Sequence, residues 1–255
     1  SVDDLRMKTF DEIVEKQTAN TWDFYPTYEA YVAMMRDFET RFPELCRLYV
    51  IGQSVMGRDI MFLKISPQPG SRRPVPRFMY TSTMHGDETV GFILTLRLID
   101  HFLNGYGSDS DITWLLDNTE IWICPNENPD GTYRNDNSSI SGATRANANG
   151  YDLNRNYPNP VSSATGPLQP ETIAMISFTD TLSFTASANI HSGIELVNYP
   201  FDSWRSTVRK HADHVWWQFV SREYADTARH YSPANYMNPT SWSSFDRGIT
   251  HGGDW

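Results

Sequence analysis

The chain has 255 residues, of which 39% are hydrophobic, and its formal net charge is −10. This length and apolar content suit one α/β domain with a large core. The acidic balance argues against nucleic acid as a partner, because phosphate binding requires basic patches. The sequence has no run of about 18 apolar residues, so it predicts no membrane span.

The predicted elements alternate between strands and helices. Thr27 is a candidate N-cap for a first helix, which follows the 3.6-residue apolar period and stops at Pro43. Apolar runs predict strands over residues 47–51, 59–65, 77–83, 119–125 and 185–190. Helical periodicity predicts further helices over residues 89–103, 171–182 and 206–225. The alternation predicts an α/β fold with a mixed, largely parallel, twisted β-sheet flanked by helices on both faces.

A metal site is predicted where His85 and Glu88 join an apolar strand to a helical run. An imidazole and a carboxylate three residues apart at such a turn can bind one metal ion together. His191 also follows a predicted strand and supplies a third ligand, since ligands gather at the C-terminal ends of strands in open α/β sheets. Two histidines, one carboxylate and an open fourth position are typical of catalytic zinc. The sequence therefore predicts one Zn²⁺ ion bound by His85, Glu88 and His191.

Two alternatives compete with this interpretation. The His-x-x-Glu spacing is common and by itself indicates little. A second pair, His211 and His214, also lies three residues apart on a predicted helical face. No strand end bearing a carboxylate accompanies that pair, so we interpret it as part of a solvated helix surface.

Cysteine usage leaves the cellular compartment open. Cys46 and Cys124 both lie in apolar, strand-like stretches. Buried free thiols are the ordinary interpretation of such positions. A disulfide between them stays open, because its geometry cannot be derived from sequence.

Arginine and asparagine side chains mark a long polar segment over residues 126–164. The segment contains Arg145 and the neighbouring pair Asn154 and Arg155. A guanidinium binds a carboxylate through two parallel hydrogen bonds, and an amide adds another donor. Beside a zinc site, these groups indicate a substrate with a free carboxylate near the scissile bond, which is a peptide C-terminus. Surface ion pairs would be the preferred interpretation if this segment stood alone.

Seven stretches together resemble a known family. They are His85-Gly86-Asp87-Glu88, Asn128-Pro129-Asp130-Gly131, Asp152-Leu153-Asn154-Arg155-Asn156-Tyr157-Pro158, Gln169-Pro170-Glu171-Thr172, His191-Ser192-Gly193, Asn198-Tyr199-Pro200-Phe201-Asp202 and Gly248-Ile249-Thr250. In this order they resemble the zinc metallocarboxypeptidases of carboxypeptidase A type, and within them the N/E branch that includes carboxypeptidases D, E, M and N. The resemblance covers roughly residues 28 to 255.

The resemblance implies a role for each candidate residue in substrate binding. Arg145 would polarise the scissile carbonyl and stabilise the oxyanion, while Asn154 and Arg155 would bind the terminal carboxylate. Asp202 matches the position that faces a basic terminal side chain, which implies Lys or Arg at the substrate C-terminus. The alternative for Asp202 is a turn residue after Pro200 and Phe201. The bond between residues 192 and 193 matches a place where the family uses a cis peptide.

The resemblance thus predicts a secreted or periplasmic zinc metallocarboxypeptidase that acts on peptide or protein C-termini. The family's general-base glutamate and a substrate-covering tyrosine follow the Gly-Ile-Thr motif, and neither can be assigned between Gly248 and Trp255. We therefore expect one catalytic domain over residues 1–255, cut short at its C-terminal end. Two alternatives stay open: a non-catalytic zinc- or peptide-binding homologue, and a carboxypeptidase for bacterial cell-wall peptides.

Overall fold

The structure is a computed structural model that describes residues 7–8, 11–13, 22–232, 236–237 and 248–254. The chain divides into two compact units. Unit 1 comprises residues 1–157 and 164–192, and unit 2 comprises residues 158–163 and 193–255. The expectation of a single domain over residues 1–255 stays a prediction.

Unit 1 contains most of the strands and helices. Its strands are β1 (Met7–Lys8), β2 (Tyr25–Pro26), β3 (Cys46–Gln53), β4 (Asp59–Ile65), β5 (Arg77–Ser82), β6 (Glu120–Cys124) and β7 (Ala186–Ile190). Its helices are α1 (Tyr28–Arg41), α2 (Val90–Gly105), α3 (Ser110–Asn118), α4 (Pro129–Thr132) and α5 (Pro170–Leu182), with a 3-10 turn at Leu153–Arg155. The predicted strands and helices of this unit are confirmed to within a few residues. The short strands β1 and β2 and the helices α3 and α4 are additions to them.

The central sheet has the strand order β3-β4-β6-β5-β7. Strand β4 pairs antiparallel with β3 and β6, whereas β5 pairs parallel with β6 and β7. The predicted mixed sheet is thus confirmed. Because β6, β5 and β7 run in the same direction, the loops that follow them leave the sheet at one edge.

Helices cover both faces of the sheet, as predicted. Strand β4 shows why, since its consecutive residues Phe62 and Leu63 are both fully buried. Leu63 belongs to a core cluster that includes Phe38 of α1 and Phe92 of α2. Phe62 belongs to the cluster on the other face, with Met175 of α5. The apolar run of β4 therefore makes it a central strand with helices on either side.

The ends of α1 follow from local chemistry. The hydroxyl of Thr27 accepts a hydrogen bond from the amide of Ala30 at 3.1 Å, which confirms the predicted N-cap. Pro43 follows two residues after the last helical residue.

Cys46 and Cys124 are buried free thiols, so the open alternative of a disulfide is excluded.

Unit 2 contains β8 (Val197–Tyr199), α6 (His214–His230), β9 (Ile249–His251) and a 3-10 turn at Gly252–Asp254. Strands β8 and β9 pair parallel to one another. A small core cluster joins them to α6 through Tyr199, Ala225, Met237 and Ile249. Strands of three residues are too short to show a periodic pattern, which explains why neither was predicted.

The predicted helix over residues 206–225 is wrong at its start, because α6 begins only at His214. Residues 206–213 form turns and irregular structure instead. The ring nitrogen Nδ1 of His211 accepts a hydrogen bond from the amide of Asp213 at 3.0 Å. This side-chain contact binds an amide that a continuous helix would bond internally, so it favours the later start.

The cis peptide bond among the described residues joins Pro200 to Phe201, so the expected cis bond between residues 192 and 193 is wrong.

Within the described part of the chain, no helix has both the length and the apolar character needed to cross a bilayer.

A buried ion-pair network lies at the N-terminal end of β6. The carboxylate of Glu120 lies 2.9 Å from the ammonium of Lys64 and 2.8 Å from Nε of Arg77. Burial works to raise the pKa of Glu120, but the hydrogen bonds from Lys64 and Arg77 hold it below its ordinary value. Lys64 and Glu120 are both almost fully buried, so neither charge has bulk water as an alternative partner.

Replacing Glu120 with Gln should lower the free energy of unfolding at pH 7 by about 3 kcal/mol, because Lys64 would stay buried without a counter-charge. The folded-state pKa of Glu120 is lowered, so its contribution is present above the unfolded pKa of 4.5 and is lost as the pH falls further. The difference between wild type and E120Q in urea unfolding should therefore shrink below that pH.

The control for this experiment is Asp37→Asn, which removes a partly exposed ion pair with Arg41. We expect it to change the free energy of unfolding by less than about 1 kcal/mol. Equal effects of the two substitutions would contradict the role assigned to burial.

Candidate metal centre

The three predicted metal ligands come from loops at one edge of the sheet. His85 lies three residues after the end of β5, and Glu88 lies two residues before the start of α2. His191 directly follows β7, the parallel neighbour of β5. The parallel pairing therefore brings together residues that are about a hundred positions apart in sequence.

The ligand atoms of these residues lie close to one another. Nδ1 of His85 is 3.1 Å from Oε1 of Glu88, and Nδ1 of His191 is 2.8 Å from Oε2. The two Nδ1 atoms are 3.1 Å apart. Nitrogens bound to one tetrahedral zinc ion are separated by about 3.3 Å, given the usual Zn–N distance. The ligand atoms of His85, Glu88 and His191 all lie within 4.8 Å of one another. In the part of the chain that the structure describes, no other group of three or more His, Cys, Asp or Glu residues has this spacing.

The environment of Glu88 keeps it ionised, as a metal ligand must be. Burial works to raise its pKa, but hydrogen bonds from the Ser192 amide, His191 and His85 hold the pKa below its ordinary value. The Ser192 amide donates to Oε2 at 3.1 Å. The His191 ring is partly exposed, so the cluster is open to solvent on one side. Two imidazoles, one carboxylate and an accessible side fit a zinc ion with an open position.

Asp152 is a candidate functional residue that was not among the predicted ligands or substrate-binding residues. Its Oδ1 lies 3.1 Å from Nε2 of His85, and its Oδ2 accepts a hydrogen bond from Nε of Arg145 at 3.0 Å. A carboxylate at Nε2 favours the tautomer with the proton there, in which Nδ1 would offer a lone pair to a metal in place of its contact with Glu88. Burial works to raise the pKa of Asp152, but Arg145 and His85 hold it below its ordinary value.

Asp152 had a sequence signal of its own. It immediately precedes the 3-10 turn and accepts a hydrogen bond from the amide of Asn154 at 2.9 Å, which is typical of an acidic cap. The sequence shows this cap, because Asp152 directly precedes the turn Leu153–Arg155. Its second partner, His85, is 67 positions away, so only the folded chain shows the contact.

Close contact between two glycines positions the loop of His85. A Cβ atom on Gly86 would lie 2.2 Å from the carbonyl carbon of Gly131, so no larger side chain fits there. The amide group of Asn128 donates to the carbonyls of Met84 and Arg145 at 3.2 and 3.3 Å. These bonds join the loops after β5 and β6 to the loop of Arg145.

Arg145 lies directly beside the ligands. Its Nη1 is 3.2 Å from Nδ1 of His85 and 3.6 Å from Oε1 of Glu88. Asn154 and Arg155 are exposed and belong to the 3-10 turn capped by Asp152. Unit 1 therefore contains the three ligands and the three residues predicted to bind the substrate's carbonyl and carboxylate groups.

Asp202 belongs to unit 2, where its side chain is exposed. A Cβ atom on Gly252 would lie 1.5 Å from Oδ1 of Asp202, and one on Gly253 would lie 1.9 Å from the carbonyl oxygen of Trp204. The two consecutive glycines therefore allow the turn after β9 to approach the chain around Asp202. The sequence analysis gave no role to Gly252 and Gly253.

The competing histidine pair has a different environment from the one predicted. His214 is only partly exposed, and its ring lies 5.6 Å from that of Tyr199 and 6.0 Å from that of His251. Burial and the neighbouring charges of Lys210 and His251 lower the pKa of His214. His214 is therefore partly solvated, and its ring contacts Tyr199 of the small core of unit 2. The shared helical face is wrong, because His211 lies before the start of α6.

Comparisons with known proteins show the family of this chain. The sequence profile of the zinc carboxypeptidase family matches residues 31–253. Carboxypeptidase D from Homo sapiens is 37% identical over 239 residues, which cover 91% of this chain and 17% of that protein. Carboxypeptidase M from Mus musculus is 39% identical over 183 residues, which cover 70% of this chain and 41% of that protein. The chain belongs to the zinc carboxypeptidase family, and it spans less than half the length of these relatives.

Solved structures support the fold. Thrombin activatable fibrinolysis inhibitor matches with a TM-score of 0.76 at 19% identity, covering 96% of this chain and 66% of that chain. Carboxypeptidase A from Helicoverpa armigera matches with a TM-score of 0.73 at 21% identity, covering 92% of this chain and 59% of that chain. The carboxypeptidase-like α/β fold that was predicted from the sequence is confirmed.

Replacing Asp152 with Ala should weaken zinc binding by about 10- to 100-fold, because His85 loses the acceptor that orients its ring. Competition with a chromophoric chelator measures this affinity. Asp136→Ala is the matched control, since Asp136 is an exposed aspartate that bonds Ser138 in its own loop. Unchanged zinc affinity in folded D152A would contradict the assigned role.

Proposed function

We propose that this chain is the catalytic domain of a metallocarboxypeptidase that binds one Zn²⁺ ion and hydrolyses the last bond of peptides or proteins. The observation that carries the proposal is the cluster of His85, Glu88 and His191, whose ligand atoms lie within 4.8 Å of one another. The guanidinium of Arg145 lies beside it, 3.6 Å from the Glu88 carboxylate. Membership of the zinc carboxypeptidase family supports the same activity.

Residues of this chain prepare the site for the metal. His85 and His191 present Nδ1 lone pairs, and Glu88 contributes a negative charge. Asp152 keeps the proton of His85 on Nε2, away from the metal side. A bound zinc ion acts as a Lewis acid and lowers the pKa of its water to about 7.

Arg145 and the 3-10 turn bind the substrate in this proposal. Nη1 of Arg145 is close enough to the ligands to donate a hydrogen bond to a carbonyl oxygen held there, and it stabilises that oxygen as negative charge develops. Asn154 and Arg155 are exposed donors that fit a terminal carboxylate. A clamp on the free carboxylate explains why only the terminal residue would leave.

A basic terminal residue is the substrate preference that we propose. Asp202 supports this preference, because its side chain is exposed and acidic and its position matches the family position for basic tails. Acidic tails are disfavoured by like-charge repulsion. We also propose that the protein is secreted or periplasmic, for which the family resemblance is the support.

Removal of zinc should abolish release of Lys and Arg from peptides, and added Zn²⁺ should restore it. The assay uses the full-length gene product and compares peptides that end in Lys, Arg, Phe or Glu, before and after treatment with a chelator. Activity that survives complete metal removal would contradict the proposal. Bound zinc without release from any of these peptides would instead favour the non-catalytic homologue or the carboxypeptidase for bacterial cell-wall peptides.

Replacing Arg145 with Ala should lower kcat by about 100- to 1000-fold, because the developing oxyanion loses a charged donor. Zinc content should not change, since Arg145 is not a ligand. Arg134→Ala is the matched control, because Arg134 is an exposed arginine in the same polar segment. Steady-state kinetics on a peptide ending in Lys distinguish the two variants, and an equal response would rule out a specific role for Arg145.

Replacing Asp202 with Asn should reduce kcat/KM for peptides ending in Lys or Arg by at least about tenfold, which corresponds to one lost charged contact. The value for peptides ending in Phe should stay close to that of wild type. A uniform loss on all peptides would indicate a structural role for Asp202 as a turn residue.

A further inference from the structure

Glu127 is a buried carboxylic acid that the proposed mechanism does not use. It follows β6 and is only 2% exposed. Its Oε1 accepts a hydrogen bond from Nδ2 of Asn189 at 2.7 Å. Nδ2 of Asn189 in turn donates to Oγ1 of Thr81 at 2.6 Å. Nδ2 of Asn189 therefore bridges Glu127 and Thr81, and these three side chains are here called the Glu127 clamp.

The Glu127 clamp joins the strands that carry the metal ligands. Thr81 of β5 and Asn189 of β7 are direct partners in the parallel register. Asn189 lies two residues before His191, and Thr81 lies four residues before His85. The amide of Glu127 also donates to the carbonyl of Ser82 at 3.0 Å, so the residue is bonded to β5 through its backbone as well.

Packing alone does not require a carboxyl group at this position. Glu127 lines a cavity of about 250 Å³, together with apolar side chains that include Met79, Met84 and Met175. Burial raises the pKa of Glu127 to about 7, which shows that its ionised form is unfavourable here. A methionine of similar length would suit such surroundings better. The polar group is therefore explained by its hydrogen bonds.

We infer that Glu127 is a positioning residue for the metal centre. Its bond to Asn189, which also donates to Thr81, and its backbone bond to Ser82 fix the ends of β5 and β7 against the loop after β6. The placement of these strand ends determines the 3.1 Å separation between Nδ1 of His85 and Nδ1 of His191. Glu127 does not contact substrate in this assignment, because it acts through the two strands. The inference rests on the proposed metal centre, whose own test is whether wild type binds the ion.

The test is a titration of the purified protein with Co²⁺ alone, followed by visible absorption, which reports both the affinity and the ligand geometry. Glu127→Met keeps the length of the side chain but removes the acceptor. We expect it to raise the Kd for Co²⁺ about tenfold and to change the absorption bands. Glu127→Gln keeps an acceptor for Asn189 and should bind Co²⁺ within about twofold of wild type.

Met175→Leu is the matched control, because Met175 lines the same cavity but belongs to α5. It should bind Co²⁺ with the wild-type spectrum and affinity. A loss in M175L equal to that in E127M would overturn the inference, since cavity packing would then explain both. Wild-type binding by folded E127M, or equal losses in E127M and E127Q, would also overturn it.

If E127M does not fold, as judged by circular dichroism, a further variant tests the same inference. Thr81→Val removes one hydroxyl of the Glu127 clamp and should raise the Kd for Co²⁺ about threefold with altered bands. Wild-type affinity and bands in T81V would overturn the inference. Failure of the wild-type protein to bind Co²⁺ or Zn²⁺ would instead overturn the proposed metal centre, and the inference with it.

Discussion

The parallel pairing of β5 with both β6 and β7 is the constraint on which the site in unit 1 depends. Parallel strands end at the same edge of a sheet, so the residues that follow them converge there whatever their separation in sequence. His85 follows β5 and His191 follows β7, while the loop after β6 supplies the contacts that hold both neighbours. A shift of one residue in either pairing would turn the functional side chains to the other face.

The loops at this edge of the sheet bring several polar side chains close together, and the metal ligands among them each have a hydrogen-bond or ion-pair partner. His85 is almost fully buried, yet both of its ring nitrogens have partners, with Asp152 at Nε2 and Glu88 at Nδ1. Hydrogen bonds outweigh burial at Glu88 and keep its pKa low, whereas burial prevails at Glu127 and raises it. The two carboxyl groups are thus suited to different tasks, one to binding a cation and the other to holding strands together.

Much of unit 1 could be predicted because its elements have strong local signals. The apolar run of β4 and the Thr27 cap are examples, and both agree with the structure. The errors lie where local signals are weak or misleading. Strands β8 and β9 have three residues each, and their pairing is a contact between segments about 50 positions apart. The sequence before α6 suggested a helix start at residue 206. Instead, the side chain of His211 accepts a hydrogen bond from the amide of Asp213, and the helix begins after that contact.

The sequence by itself determined which chemical groups are available and where along the strands they lie. It predicted His85, Glu88 and His191 as ligands because a strand end, a histidine and a carboxylate are all visible locally. Only the tertiary structure decided which atoms meet. The contact of Asp152 with His85 and that of Glu127 with Asn189 join residues more than 60 positions apart. Such contacts depend on strand order and register, which arise from the packing of the whole sheet between its helices and leave no pattern in any single segment.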